Sequence, residues 1–366
     1  MNREGQALLR AILDDPDDDV SRLVYADWLA ENGDEARGQL IRVQVEAARL
    51  APSRLPADRQ RFAECTAQAS SLLVQNQSRW LAELPQVKGQ HWLVPAVSKT
   101  GPIFQRGFVN YVACNSWELF QEYGPALFAQ TPIERLSIRL EKVTQLRALA
   151  QTPWLRNLRW LELLQTPIGM QGMRLLSDSP FLTRLQRLDV ERPLGEVAFP
   201  HVFQTPFFLQ LDTLCLNQVA PAAHGLASIS DAPPQWPMQM RLRRLEWSCP
   251  YDLLMYLQAM RIFSASPLIL PPRLTWLRLQ SQQGQGDALV NEIVQMPQTQ
   301  QLRRLVLRNN RITDRGALRL AQSDLLDDLE LLDLRNNPIG PSVARRLRQR
   351  FDHGEGRILL GTEGQP

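Results

Sequence analysis

Lysine is almost absent from this chain. Among 41 basic residues only Lys88, Lys99 and Lys142 are lysines, and the rest are arginines. A guanidinium is planar, grips a carboxylate through two bonds and stacks on aromatic rings, so the bias suits ion-pair ladders and interfaces; a genome-wide coding bias would give the same excess. Histidine and cysteine are scarce, at four residues each. His91, His201, His224 and His353 are dispersed, which leaves no HExxH-type metal site, and no metal or cofactor is expected. Cys65, Cys114, Cys215 and Cys249 form no CxxC pair and read as reduced, buried thiols of a reducing compartment. No run approaches the roughly 20 apolar residues that span a bilayer. The opening MNREGQALLRAILDDPDDD shows no basic-then-apolar export pattern, so a cytoplasmic location is expected. A net charge of +3 gives little support to nucleic-acid binding. GxSxG is missing, and the Gly-rich string at 284–287 lacks the Lys and Ser/Thr of a phosphate loop, so it reads as a connection. No catalytic constellation emerges and no enzyme is expected.

What is present is periodicity. With 366 residues the chain exceeds one ordinary hydrophobic core and calls for two domains or an extended array. An LxxLxL frame recurs eight times: Ile133-Leu136-Ile138, Leu158-Leu161-Leu163, Leu185-Leu188-Val190, Leu211-Leu214-Leu216, Leu242-Leu245-Trp247, Leu274-Leu277-Leu279, Leu302-Leu305-Leu307 and Leu329-Leu332-Leu334. Alternating leucines bury one face of a short strand, and stacking neighbours closes a core that no single unit closes alone. Asn310 and Asn337 follow the two cleanest frames, where a buried amide can bond the backbone of adjacent turns. An apolar-periodic helix follows with Gly316, Leu318 and Leu320. A strand followed by a helix every 27 residues or so resembles the ribonuclease-inhibitor-like class of leucine-rich repeat over about residues 130–350. The fold expected is therefore α/β, a solenoid with a curved parallel sheet of about eight repeats. Two longer intervals carry APPQWP and SPLILPP, where irregular connections are expected.

Residues 4–13, the segment SRLVYADWLAEN and residues 35–50 read as three amphipathic helices, with Leu23, Val24, Trp28 and Leu29 as the apolar face of the second. PADRQRFAECTAQASSLLVQNQSRWLAEL reads as a fourth helix, and HWLVPAV and IFQRGFVNYVAC as short strands. The string ILDDPDDDVSRLVYADWLAENGDEARGQLIRVQ resembles the repeat-companion domain that precedes bacterial leucine-rich repeats. Asp14, Pro16, Asp18, Arg22, Leu23, Tyr25, Ala26, Asp27, Trp28, Leu29, Gly33, Arg37, Gly38, Ile41, Arg42 and Gln44 carry the match. Gln39 departs from it, standing where an acidic residue is expected. The resemblance implies architecture and bacterial company, not an activity. The acidic loop Asp14–Asp19 lacks the glycine and terminal glutamate of a calcium loop and reads as a helix cap. Asp27 is expected to be partly buried and paired with Arg37 or Arg42. The expected divisions are a helical module over 1–50, a connecting helix and cap over 51–130, repeats over 131–350, and a cap and tail over 351–366.

In each frame the residues beside the second anchor point away from the core. Before it stand Arg135, Trp160, Arg187, Thr213, Arg244, Trp276, Arg304 and Leu331; after it stand Ser137, Glu162, Asp189, Cys215, Glu246, Arg278, Val306 and Asp333. The bland account is a self-neutralising ladder of surface ion pairs, each contributing about 0–1 kcal/mol. Two indoles exposed on a rigid concave sheet point instead to an interface, where tryptophan and arginine are favoured anchors. The candidate partner-binding residues are Arg135, Trp160, Glu162, Arg187, Asp189, Arg244, Glu246, Trp276, Arg278 and Arg304. The expected function is a monomeric, non-catalytic scaffold with a protein partner on the concave face. Two alternatives stand beside it: a nucleic-acid binder using these arginines and Arg345, Arg346, Arg348 and Arg350, or an enzyme or enzyme regulator with a site at the seam of cap and solenoid.

Overall fold

A computed structural model describes residues 2–85, 92–93, 103–191, 205–218, 238–249, 270–281, 286–352 and 356–361. The chain divides into two compact units, Met1–Ile138 and Arg139–Pro366.

In the first unit short polar side chains set the helix starts. Asn2 accepts from the Gly5 N–H and opens α1 (Arg3–Asp14). Asp18 accepts from the Val20 and Ser21 N–H groups and opens α2 (Asp19–Glu31). Asp34 accepts from the Arg37 N–H and opens α3 (Glu35–Leu50). Each cap satisfies amides that a helix end leaves over. A proline in the first turn starts α4 (Pro56–Ala82). Then come β1 (Trp92–Leu93), a hairpin of β2 (Phe104–Gln105) and β3 (Phe108–Val109), β4 (Tyr111–Cys114), α5 (Trp117–Phe128) and β5 (Arg135–Arg139). β4 pairs antiparallel with β1 and parallel with β5. No pattern pointed to α5, and most of HWLVPAV lies outside the described residues.

The second helix keeps most of its expected face: Leu29 is buried, and Leu23 and Trp28 pack against the core. Val24 is 46% exposed instead, and Arg22, Tyr25 and Ala26 are buried. The reason is that Arg22 goes inward. Its guanidinium donates twice to the Pro16 carbonyl, at 3.2 and 2.9 Å, and once to the Arg106 carbonyl at 3.1 Å. It also lies 5.2 Å from the Phe108 ring centre. Burial pulls its pKa down to about 10, still leaving it charged at neutral pH. Phe108 is carried by the hairpin, whose turn residues Arg106 and Gly107 both have positive φ (47° and 82°), as a two-residue type I′ turn requires. A Cβ on Gly107 would also fall 2.0 Å from the Ile41 side chain. Gln44 clamps the same hairpin, accepting from the Gly107 N–H at 2.7 Å and donating to the Phe104 carbonyl at 3.3 Å. The dense N-terminal motif is thus taken up in packing α1–α3 and the hairpin around Tyr25, Ile41 and Phe108. Asp27 is exposed, against expectation; it bonds Arg42 at 2.6 Å, while Arg37 reaches Glu83 at 2.9 Å.

The second unit repeats one plan. Its strands are β6 (Trp160–Leu164), β7 (Arg187–Glu191), β8 (Thr213–Asn217), β9 (Arg244–Cys249), β10 (Trp276–Ser281), β11 (Arg304–Val306), β12 (Leu331–Asp333) and β13 (Arg357–Leu359). Each pairs with the next, always parallel. The second anchors stand in one row, Leu161, Leu188, Leu214, Leu245, Leu277, Leu305 and Leu332, and Ile358 adds a further member without a leucine frame. All but Leu245 and Ile358 are at most 1% exposed. Helices α6 (Val143–Ala150), α7 (Gly169–Ser177), α8 (Pro206–Leu209), α9 (Gly286–Ile293), α10 (Asp314–Gln322) and α11 (Pro341–Phe351) lie between strands, and α9–α10 and α10–α11 pack as neighbours. The APPQWP segment and most of SPLILPP lie outside the described residues.

Two polar devices lock one unit to the next. Asn310 accepts from the Ser281 N–H at 2.7 Å and donates to the Leu279 carbonyl at 2.8 Å; Asn337 does the same for Asn310, Ile312 and Leu307. Thr166 fills this place near the start, accepting from the Leu140 N–H and donating to the Leu164 carbonyl. The position four residues after the second anchor is left-handed in four of the units: Gln165, Gln218, Asn309 and Asn336 have φ of 46–60°. Asp287 and Asp314 then bond the start of the following helix, through Thr313 and Gly316 and through Gly340. The Gly-rich string therefore ends as a helix start whose acid serves the next turn. Gly286 lies too close to the Asn310 carbonyl for any Cβ, which would sit 2.2 Å away.

Candidate interaction face

The residues beside the anchors all stand on one side of the parallel strands, as the shared register requires. They do not form a uniform column. The acids are buried: Asp189 is 4% exposed, Glu246 6% and Asp333 0%. Arginines and tryptophans close over them.

The first cluster spans β6 and β7. The Arg187 guanidinium lies 3.8 Å from the Trp160 ring centre. It grips Asp189 with two prongs, at 2.8 and 2.9 Å, and the Trp160 indole N–H donates to the same carboxylate at 3.0 Å. Charge-assisted two-pronged bonds of this kind are the strong ones. Burial pulls the Arg187 pKa down, but the Asp189 bond and charge outweigh it and the net shift is upward. Glu162 stands half-buried beside Asp189 in register.

The second cluster spans β9, β10 and β11. Arg244 lies 3.4 Å from the Trp276 ring centre and pairs with Glu246. Arg278 reaches the other oxygen of Glu246 at 3.4 Å. Arg304, exposed and on the next strand, lies 5.1 Å from the same ring centre. Between the clusters β8 offers Thr213 and Cys215, both buried and uncharged. Burial, then Asp189 and Glu246, push the Cys215 thiol far up, so it stays protonated and unreactive.

Arg135 joins neither cluster. It belongs to the first unit, is 7% exposed, bonds the Asn110 side chain at 2.7 Å and lies 5.3 Å from the Tyr111 ring centre. The expectation of two exposed indoles is corrected as well: Trp160 and Trp276 are half-buried under arginine. Each guanidinium trades its hydration for a ring face and a carboxylate, which holds both side chains in place.

A third group was missed as a site. Asp333 accepts from Arg308 at 2.6 Å and from Arg335 at 2.9 Å, together with the Arg335 backbone N–H. Burial pushes its pKa up, but these bonds outweigh that and the carboxyl titrates below its ordinary value. The signal was available: LRNN occurs twice, at 307–310 and 334–337, and places an arginine three residues after each anchor.

In the acidic N-terminal loop Asp18 caps α2, while Asp19 pairs with Arg49 at 3.1 Å and Arg106 at 3.6 Å. Among the described residues no group of three or more His, Cys, Asp or Glu side chains is placed to hold a metal ion. The four histidines lie outside the described residues, and all four cysteines are free and buried. Among the described residues no helix is long and apolar enough to cross a membrane.

No family model matches the chain, and no curated protein matches it. Among solved structures, a structural-genomics protein from Bacteroides fragilis is similar over 83% of this chain and 84% of its own, at 13% identity and a TM-score of 0.41. A likeness that loose carries no argument, so what stands is a repeating α/β fold built on a large parallel sheet, consistent with a solenoid.

Proposed function

We propose that this chain is a bacterial leucine-rich-repeat protein of about eight repeats, working in the cytoplasm as a non-catalytic scaffold that binds a protein partner on the open face of its sheet. The repeat reading is supported by the row of leucine anchors and by the asparagine and left-handed pair at 309–310, repeated 27 residues on at 336–337. The binding reading rests chiefly on one observation: two tryptophans on the same sheet face, each stacked by an arginine and so held in a single conformation. Ordered aromatic and arginine side chains lose little freedom when a partner docks, which is what binding hot spots need.

The test is comparative capture from a bacterial lysate with the full chain and two variants. Arg187→Ala/Arg244→Ala disturbs the face, and Arg319→Ala/Arg346→Ala changes helix positions elsewhere. A partner held by the second variant and by the unaltered chain, and released by the first, supports the proposal. A partner held equally by all three, or lost only from the helix variant, moves binding off this face.

A further inference from the structure

Trp160 and Trp276 hold the same place in two strands, yet the acids beside them differ. Opposite Trp160 stands Arg187, and two residues on is Asp189; opposite Trp276 stands Arg304, and two residues on is Val306. In the first case the protein's own carboxylate takes the indole N–H at 3.0 Å and the guanidinium at 2.8 Å. In the second the acid is missing. The Trp276 indole nitrogen is buried with no hydrogen-bond partner, and Arg304 has no carboxylate among the described residues. Glu246 bonds Arg244 and Arg278, and the indole nitrogen makes no bond to it. A buried donor without an acceptor is rare and costly in native proteins.

We propose that a carboxylate from an acidic segment of the protein partner completes the Trp276–Arg304 pair as Asp189 completes Trp160–Arg187. The claim rests on the protein-binding reading of this face and names the chemistry of its ligand. Charge favours the same end of the sheet. From β10 to β13 the face carries Arg278, Arg304, Arg308, Arg335 and Arg357 against Asp333 alone, whereas β6 to β8 carry Arg187 against Glu162, Asp189 and Glu191. An acidic segment is drawn to the first group and repelled by the second. Arg304 is an exposed side chain 5.1 Å from the ring centre, so its guanidinium is open to an incoming carboxylate beside the indole.

The experiment uses the full chain with ¹⁵N-labelled tryptophan and three fluorescent probes: a Glu/Asp-rich peptide, its Gln/Asn counterpart and a single-stranded oligonucleotide. The acidic peptide is expected to bind about ten-fold or more tightly than the amide peptide, the size of one charge-assisted bond. It should shift the Trp276 indole N–H resonance and leave that of Trp160 in place. Val306→Asp supplies the missing acid internally. It should move the Trp276 resonance toward that of Trp160 without any peptide and weaken peptide binding about ten-fold. Because Val306 is buried and its replacement can disturb folding, Arg304→Gln, at an exposed position, is the second variant and should weaken binding by a similar factor. An unmoved Trp276 resonance on peptide addition, or peptide binding untouched by Arg304→Gln, overturns the site. Tighter binding of the oligonucleotide than of the acidic peptide overturns it in favour of a nucleic-acid ligand. If the captured partner depends on Arg187 and Arg244 but not on Arg304, the face stands and this assignment alone falls.

Discussion

The helical module and the sheet face both concentrate arginine and use it in opposite directions. In the module Arg22 is 3% exposed and spends its donors on backbone carbonyls of two loops. On the face Arg187, Arg244 and Arg304 cover indoles and keep part of their surface toward solvent. One residue type is a staple where the surrounding groups are main-chain oxygens, and a presented surface where they are rings and buried acids. A dense local motif is therefore no guide to a binding site here: in the first unit it is consumed by packing, while the face is assembled from residues about 27 positions apart.

The largest effect should come from the staple. Arg22→Ala leaves the Pro16 and Arg106 carbonyls without their donors and uncovers Phe108, so a loss of about 3–5 kcal/mol is expected. Hydrogen exchange across residues 3–50 should rise sharply, while Arg304→Ala should leave exchange in its own strand nearly unchanged. Equal effects of the two would erase the contrast between staple and surface. Next is Leu277→Ala, which empties a fully buried anchor and should cost about 2–5 kcal/mol in thermal or urea unfolding.

Asp333→Asn should cost about 2 kcal/mol at neutral pH, since Arg308 and Arg335 lose their shared anion. The pH dependence sharpens this. Asp333 titrates below 3.8 in the folded chain. Its contribution is complete above that value and is lost as pH falls through the lower folded value. The gap in stability between the two proteins should therefore close as pH drops below 3.8 and stay constant above about 6. A gap that widens in acid would show that the carboxylate is not the stabilising species.

The smallest effect tests the two tryptophans against each other. Trp160→Phe removes an indole N–H that bonds Asp189 and should cost about 1 kcal/mol more than Trp276→Phe, whose N–H has no partner. Equal costs would mean that the two sites are equivalent after all.

The strand ladder is written in the leucine frames. The second anchors from Leu136 to Leu332 all lie on strands, because a two-residue alternation has only one way to bury its apolar side. Asn310 and Asn337 were legible for the same reason, as polar residues at a fixed step from each frame. β4 falls inside IFQRGFVNYVAC, read as short strands, but β13 was not legible, since Ile358 extends the row without any leucine signature. The turn of α2 toward Arg22 and away from Val24 was missed because periodicity scores Arg22 as polar, and only the carbonyls of Pro16 and Arg106 make its burial tolerable. The ten candidate residues were found from position alone, but position does not say which acid sinks and which arginine stays out. That depends on partners supplied by neighbouring strands. Asp189 stands across from Trp160's strand and Val306 across from Trp276's, and this pairing, fixed by the stacked register, leaves one indole satisfied and the other waiting for an acceptor.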